Sequence, residues 1–182
     1  MTSTIQLVSP RLLLREGQPR DHAPFAEMNA DPAVMQFFPA PFTTEESNDA
    51  ADRYNAQLER DCFTMFAVED RSTGDFVGVI GAQTMRFAVP NLPQPVVEIG
   101  WRLTTRSQGR GFATEGATAI LDHLRQLGTI SEVVAITTPL NGPSRNVMHK
   151  LGMQHRPELT FNHPLVPAGS PLRQHVLYSL AL

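Results

Sequence analysis

Cysteine is nearly absent from this sequence, and its scarcity excludes the sites and folds that depend on it. The 182 residues include one cysteine, Cys62, so an intramolecular disulfide and a zinc site of several cysteines are excluded. Such a composition is typical of the cytoplasm, and we expect that compartment. The six histidines are scattered, without the i, i+4 spacing that directs two imidazoles at one metal ion. The sequence therefore predicts no metal site.

Long hydrophobic runs and an excess of positive charge are also missing. Nowhere does the chain offer about 18 consecutive apolar residues, and its start lacks the pattern of an export signal. The net charge of -3 and the pI near 6.0 give no general attraction to nucleic acid or to an anionic membrane. With 41% hydrophobic residues, the composition predicts a soluble globular protein. Its length predicts a single domain over residues 1–182.

Strands and helices alternate along the predicted chain. Thr43 and Glu46 match a capping box, which predicts the start of a helix. Gly74 lies in a turn between two β-rich runs, which predicts a hairpin. The remaining expected strands are residues 11–16, 97–103 and 132–138, with extended segments near 153–162 and 172–182. The remaining expected helices are residues 22–29, 31–38, 113–127 and 143–151.

A glycine-rich stretch, RSQGRGFATEG at residues 106–116, separates a predicted strand from a predicted helix. This order places unpaired N–H groups and the positive end of the helix before the turn, an arrangement that binds anions such as phosphate. Gly109 and Gly111 let the main chain approach a ligand without a Cβ, and Arg106 and Arg110 can add charge-assisted contacts. The alternative is a simple turn flanked by solvated arginines.

The spacing of the stretch argues against two common nucleotide sites. A Walker loop ends in Gly-Lys-Ser/Thr, whereas Gly111 is followed by Phe112 and Ala113. A dinucleotide fingerprint would require a glycine where Thr114 stands and would open the fold, whereas this stretch lies past mid-chain. A dinucleotide-dependent reductase is therefore disfavoured.

The stretch resembles the acetyl-CoA pyrophosphate loop of the GNAT acetyltransferases, Arg/Gln-x-x-Gly-x-Gly/Ala, through Arg106, Gly109 and Gly111. SPRLLLRE, STGDFVGVIG, VEIGWRL and NGPSRNVMHKLGM are similar to the branch that includes the ribosomal-protein N-terminal acetyltransferases. The resemblance implies an α/β fold with a central, mixed, mostly antiparallel twisted sheet flanked by helices. It also implies an enzyme that uses acetyl-CoA as cosubstrate, without a metal, to acetylate an amine.

The resemblance also implies which residues contact the cofactor. In this family the strand before the loop diverges from its neighbour and exposes main-chain groups to the pantetheine arm, while loop amides hold the pyrophosphate. An asparagine after the next strand often adds a contact. The residues at these places are Trp101, Arg102, Leu103, Arg106, Gln108, Gly109, Arg110, Gly111, Phe112, Ala113, Asn141 and Ser144.

Two residues are candidates for catalysis. Alternation along residues 97–103 places Glu98 on the strand face opposite Trp101, where it can take the amine proton through water. The alternative for Glu98 is an exposed or structural carboxylate. Many GNAT enzymes carry a tyrosine acid where Met148 stands, so the acid role passes to Ser144, to water or to no group. Ser144 can instead satisfy local backbone donors, and the alternation around Tyr178 indicates core packing.

The acceptor amine is the least determined feature. In this fold the acceptor cleft is bordered by residues 39–47, 89–95 and 161–175, and His163 is a candidate contact or an ordinary turn residue. The acceptor is expected to be a protein N-terminal amine or a small amine, and a homodimer is one expected assembly. Because the usual tyrosine is missing, a non-catalytic acyl-CoA-binding sensor is the alternative function.

Overall fold

A computed structural model describes residues 5–182 of the chain, which form nine strands and four helices. The helices are α1 (His22–Ala30), α2 (Thr44–Asp61), α3 (Phe112–Leu127) and α4 (Gly142–Lys150). The strands are β1 (Gln6–Val8), β2 (Leu12–Arg15), β3 (Met65–Asp70), β4 (Phe76–Thr84), β5 (Val97–Leu103), β6 (Glu132–Thr137), β7 (Gln154–His155), β8 (Phe161–Asn162) and β9 (Gln174–Ala181).

The strands form one sheet in the order β1-β2-β3-β4-β5-β6-β9-β7, and β8 pairs with β9. Every neighbouring pair is antiparallel except β5 and β6, which run parallel. The connection between these two strands contains α3, as a parallel crossover requires. The prediction of an α/β fold with a mixed, mostly antiparallel sheet is confirmed.

Local sequence signals set the ends of the longest helices. The hydroxyl of Thr43 accepts a hydrogen bond from the Glu46 amide at 3.1 Å, and the Glu46 carboxylate accepts one from the Thr43 amide at 2.7 Å. This reciprocal capping box satisfies two amides that the first turn of α2 leaves unpaired. At the far end of α3, Gly128 takes the left-handed conformation with φ 66° and terminates the helix. Both helix ends agree with the sequence prediction.

Alternation along the strands divides the core between the two faces of the sheet. Phe66 and Val68 of β3 pack with the helix α3, while Met65 and Ala67 pack under α1 and α2. We call these sides the α3 face and the α1–α2 face. A third cluster includes Val96, Val134 and Leu177 and lies beneath the connection between β4 and β5. No helix among residues 5–182 has the length and apolar composition needed to cross a membrane.

Two local predictions differ from the structure, and one strand was not predicted. The helix expected at residues 31–38 is wrong, because these residues form turns in which the Asp31 carboxylate accepts a hydrogen bond from the Ala33 amide at 2.8 Å. Asp31 also precedes a proline, which disfavours helical geometry. The extended segment expected near 153–162 is divided into β7 and β8 by a short 3₁₀ helix, Pro157–Leu159. The strand β1 was not anticipated.

Candidate functional site

The strands β5 and β6 diverge almost as soon as they meet. β5 pairs with β4 along all 7 of its residues, whereas its register with β6 includes a single pair, Glu98 with Val134. On the side of β5 that faces β6, residues 101–103 therefore have no strand partner within the described chain. An extended ligand can pair with such an edge as an added strand does. Trp101 packs against the α3 face, and the side chain of Arg102 lies on the opposite face.

The connection from β5 to α3 exposes a run of backbone donors. Gly109 and Gly111 have φ values of +73° and +82°, a conformation that glycine adopts without strain. The Gln108 amide donates to the Thr105 carbonyl at 3.3 Å, whereas the amides of residues 109–114 have no acceptor within residues 5–182. The run therefore begins at Gly109, one residue later than the sequence indicated. Consecutive free N–H groups at the start of a helix can bind a phosphate.

Arg11 holds this loop from the other end of the chain. Its Nη1 donates to the Arg110 carbonyl at 3.0 Å, and its Nε donates to the Glu115 carboxylate at 2.7 Å. Burial raises the pKa of Glu115, but hydrogen bonds from Ser9 and Arg11 outweigh that effect and hold the pKa below its ordinary value. The guanidinium groups of Arg11 and Arg110 lie 4.7 and 4.4 Å from the centre of the Phe112 ring. These contacts fix the loop against α3.

The side chains predicted around the loop have different surroundings. Arg106 and Arg110 are exposed; Nη2 of Arg106 donates to the Phe76 carbonyl at 3.4 Å, and Nη2 of Arg110 lies 3.3 Å from the Asp70 carboxylate. The amide of the Gln108 side chain donates to the Leu103 carbonyl at 3.1 Å, so that carbonyl already has a partner. Phe112 is buried and Ala113 is partly buried. Both arginines therefore place exposed positive charge in the segment that carries the free amides.

Glu98 stands where β5 and β6 begin to separate. Its side chain is partly buried on the α1–α2 face, beside Val134 of the third cluster, and its carboxylate accepts a hydrogen bond from Gln83 at 3.2 Å. Burial raises the pKa of Glu98 to about 7, and the bond from Gln83 acts in the opposite direction. A carboxylate with a pKa near the working pH can accept and release a proton with little cost.

The helix α4 begins next to the end of β6. The side chain of Asn141 accepts a hydrogen bond from the Ser144 amide at 3.1 Å and donates one to the Thr137 hydroxyl at 3.1 Å. Asn141, not Ser144, therefore satisfies the local backbone donor at this helix end. The partly buried hydroxyl of Ser144 makes no hydrogen bond within residues 5–182. It is available to a ligand.

Neither Met148 nor Tyr178 presents an acid to solvent. Met148 is 1% exposed and fills the core where the sequence comparison with the family placed a tyrosine. Tyr178 is fully buried in the same cluster, as its alternation predicted. The Tyr178 hydroxyl accepts a hydrogen bond from Arg145 at 3.3 Å and lies 3.4 Å from Nε2 of His149. Its hydroxyl is thus engaged in fixing α4 to the sheet.

His163 belongs to an aromatic cluster near β8. Its ring centre lies 4.6 Å from that of Phe87 and 4.7 Å from that of His175. Burial and the neighbouring His175 lower the pKa of His163 to about 4, so the imidazole is neutral at pH 7.

Among residues 5–182, no three His, Cys, Asp or Glu side chains gather into a group that can hold a metal ion.

Sequence reasoning missed two contributors to this site. Arg11 bonds to Glu115 across 104 positions of the chain, and no spacing rule connects residues so far apart. Gln83 reaches Glu98 because β4 and β5 pair in register, which is a tertiary fact. The alternation of apolar residues along β5 placed Glu98 on the face opposite Trp101, but the sequence contains no signal for the pairing with Gln83.

Comparison with known proteins gives a family for this arrangement. Residues 11–154 match the acetyltransferase domain of the GNAT family. YnaD of Bacillus subtilis, named as an uncharacterized N-acetyltransferase, is 27% identical over 176 residues, which are 97% of this chain and 96% of YnaD.

Solved structures with the same fold agree with this match. An acetyltransferase of the GNAT family from Bacillus anthracis superimposes with a TM-score of 0.77 at 24% identity, covering 97% of this chain and 98% of its own. RimJ of Mycobacterium smegmatis, in complex with CoA-disulfide, has a TM-score of 0.72 at 20% identity and covers 98% and 86%. Structural neighbours thus include ribosomal-protein acetyltransferases, and the predicted fold and family are confirmed.

Proposed function

Because this chain belongs to the GNAT acetyltransferase family, we propose that it is an acetyl-CoA-dependent N-acetyltransferase acting on a primary amine. The observation that carries the proposal is the run of free amides at residues 109–114, directly after a strand whose edge is unpaired. A pyrophosphate fits such a loop, and an extended pantetheine arm fits such an edge. The CoA complex of the M. smegmatis relative supports the same ligand class.

The proposed cofactor site divides the cosubstrate among three segments of the chain. The main chain of Trp101, Arg102 and Leu103 pairs with the pantetheine arm through groups other than the Leu103 carbonyl, which the Gln108 side chain occupies. The amides that follow Gln108 hold the pyrophosphate. Arg106 and Arg110 supply positive charge. The exposed guanidinium of Arg110 contacts the buried Asp70 carboxylate at 3.3 Å, and a phosphate can replace that contact. Asn141 sets the start of α4, and we place Ser144 of that helix beside the thioester end of the cosubstrate.

The proposed reaction is a direct attack of the amine on the thioester. The amine nitrogen forms a bond to the acetyl carbon, the carbon–sulfur bond breaks, and CoA leaves as its thiolate. Glu98 receives the amine proton through a water molecule, a role supported by its pKa of about 7. The Ser144 hydroxyl is the remaining candidate to donate a proton or a hydrogen bond to the departing sulfur. Such a ternary complex requires no covalent enzyme intermediate.

Calorimetric titration followed by a turnover assay tests this function. The purified protein is titrated with acetyl-CoA, NADPH and ATP, and thiol release is then measured against a panel of peptides and amines. We expect acetyl-CoA to bind, NADPH and ATP not to bind, and at least one amine to release thiol. If the folded protein does not bind acetyl-CoA, the assignment of residues 106–116 is wrong.

One observation favours a second function, an acyl-CoA-binding sensor without turnover. Met148 cannot donate a proton, and the nearby phenol of Tyr178 is fully buried. A sensor would keep the loop and lose the acid. The turnover assay separates the two functions: tight acetyl-CoA binding without thiol release from any acceptor supports the sensor and contradicts the enzyme.

A further inference from the structure

The side chain of Arg102 is held in a fixed position on the α1–α2 face. Its guanidinium lies 4.4 Å from the ring centre of Phe38 and 5.1 Å from that of Phe42, and its Nη1 donates to the Asn29 side chain at 2.6 Å. Asn29 in turn donates to the Ser47 hydroxyl at 3.1 Å, and both residues are fully buried. Two aromatic rings and a hydrogen-bonded amide therefore orient this cation.

No carboxylate neutralises Arg102 within residues 5–182. Its Nε is buried without a hydrogen-bond partner, and no Asp or Glu oxygen lies within 4.0 Å of the guanidinium. Asp31, two residues after Asn29, is engaged with the Ala33 amide and the Thr105 hydroxyl. Burial lowers the pKa of Arg102, and the nearby Tyr54 acts in the opposite direction. Arg102 is partly buried, and a cation withdrawn from water normally has an anion beside it, because removing its hydration alone is costly.

The hydrogen-bond pattern leaves one edge of the guanidinium free. Nη1 is engaged by Asn29, whereas Nε and Nη2 make no hydrogen bond within the described chain. These two nitrogens form the edge through which a guanidinium binds a carboxylate by two parallel hydrogen bonds. Nη2 keeps accessible surface, whereas Nε is covered, so a carboxylate binds Nη2 directly and reaches Nε only when the side chains over it shift. A cofactor phosphate is the wrong partner for it, because the phosphate loop leads into α3 on the opposite face of the sheet.

Arg102 shares its strand face with Glu98. The two residues are four positions apart on β5 with Gly100 between them, so their Cα atoms are about 13 Å apart along the strand. Gly100 adds no side chain between Glu98 and Arg102, and the side-chain tip of Met65 lies over it, 3.7 Å from where a Cβ would stand. A molecule lying along this face can place an amine near Glu98 and an anionic group near Arg102.

Resting on the proposed acetyltransferase function, we propose that Arg102 binds a carboxylate of the acceptor and selects peptides that carry an acidic side chain near their N-terminus. The spacing favours a peptide, because about 13 Å corresponds to roughly four residues of extended chain. An α-amino acid, whose amine and carboxylate are separated by one carbon, is too short to reach both residues. Arg102 is a specificity-determining residue in this arrangement, and its charge is compensated only when the acceptor is bound.

Paired peptides test this selection without any mutation. Six-residue peptides that differ only in Glu or Gln at the third or fourth position serve as acceptors in the thiol-release assay, with 6-aminohexanoate and its amide as a small-molecule pair. We expect the Glu peptide to have a KM at least about tenfold below that of the Gln peptide, as a charge-assisted pair predicts. A preference confined to the small-molecule pair would overturn the peptide assignment. Equal KM values in both pairs would overturn the site.

Variants of Arg102 locate the preference. Arg102→Gln is expected to reduce the Glu/Gln preference to about onefold, and Arg102→Lys to restore only part of it, because lysine lacks the two-nitrogen edge. Arg53→Gln removes an exposed arginine from α2 and is the matched control, for which the preference stays as in the wild type. Thermal melting checks the fold of each variant. A preference retained in folded Arg102→Gln or Arg102→Lys at the wild-type level would overturn the role of Arg102.

Calorimetry separates a failure of this site from a failure of the proposed enzyme. Each peptide is titrated into the protein saturated with CoA, which requires no turnover. Tighter binding of the Glu peptide without thiol release would uphold the carboxylate site and contradict the acetyltransferase function. Thiol release without a charge preference would uphold the acetyltransferase function and contradict the carboxylate site.

Discussion

Replacing Glu98 by glutamine is expected to remove the part of the pH dependence of acetyl transfer that its carboxylate causes between about pH 6 and pH 8. Burial raises the pKa of Glu98 from 4.5 to about 7. With that value, the ionised fraction rises from about one tenth at pH 6 to about nine tenths at pH 8. Since only the carboxylate can accept the amine proton, the ionisation of Glu98 alone should raise kcat/KM about tenfold over this range in the wild type.

The comparison of Glu98→Gln with the wild type isolates this group from the acceptor. The acceptor amine also titrates near neutral pH, but it does so in both proteins, so the ratio of their rates reports Glu98 alone. We expect the ratio of the wild-type rate to the Glu98→Gln rate to increase about tenfold from pH 6 to pH 8. The affinity of each protein for acetyl-CoA is measured at both pH values as the control for cofactor binding. A ratio that stays constant would show that Glu98 is not the base, and the reasoning from its burial would then be wrong.

The same variant makes an independent prediction for stability. Because the folded-state pKa of Glu98 lies above its unfolded value, its contribution to stability is fully present below about pH 4.5 and is lost as pH rises through about 7. A raise from 4.5 to about 7 corresponds to at most about 3 kcal/mol. The glutamine variant should therefore gain stability relative to the wild type as pH rises, measured as the difference in urea-unfolding free energy at pH 5 and pH 8. A difference that does not change would contradict the shifted pKa.

Three further test variants, one of them with a matched control, address the loop, the acid and the aromatic cluster. Gly111→Val should weaken acetyl-CoA binding at least about tenfold because it strains a φ of +82° and covers the free amides, whereas Gly128→Val, at φ +66° away from the loop, should affect only stability. Calorimetry distinguishes them, and equal affinities would refute the loop assignment. Ser144→Ala should lower kcat about tenfold with little change in acetyl-CoA affinity, and an unchanged kcat would exclude the acid role. Because the pKa of His163 is lowered to about 4, its stabilising effect is present above about pH 6.5 and is lost as pH falls through 4. His163→Phe should therefore make unfolding less sensitive to acid, and an unchanged pH profile in urea denaturation would contradict that shift.

The parts of the site that the sequence predicts are those encoded by neighbouring residues. The free amides follow from a strand, two glycines and a helix within 20 residues, and the capping box of α2 lies within four. The helix prediction for residues 31–38 is wrong for a reason that is also local. The apolar residues of this segment follow a helical spacing, but the Asp31 side chain binds the Ala33 amide and ends the helix instead.

The parts that sequence reasoning could not reach depend on pairing between distant segments. Arg11 reaches Glu115, and Arg102 reaches Asn29 across 73 positions, because the sheet brings these segments together. In the sequence each of these arginines is an isolated charge that an exposed surface would explain equally well. The burial that changes the chemistry of Glu98 and Arg102 is likewise a property of the folded chain.

The strand β5 connects the cofactor site to the acceptor site through its register. Its odd positions Val97, Ile99 and Leu103 are buried on the α3 face, so its even positions must face α1 and α2. A slip of one residue would turn Glu98 and Arg102 into the core, and burial of the odd positions opposes it. The same register leaves the edge of residues 101–103 unpaired where β6 diverges. One set of core contacts therefore fixes the positions of the proposed cofactor edge, the proposed proton acceptor and the proposed carboxylate site at once.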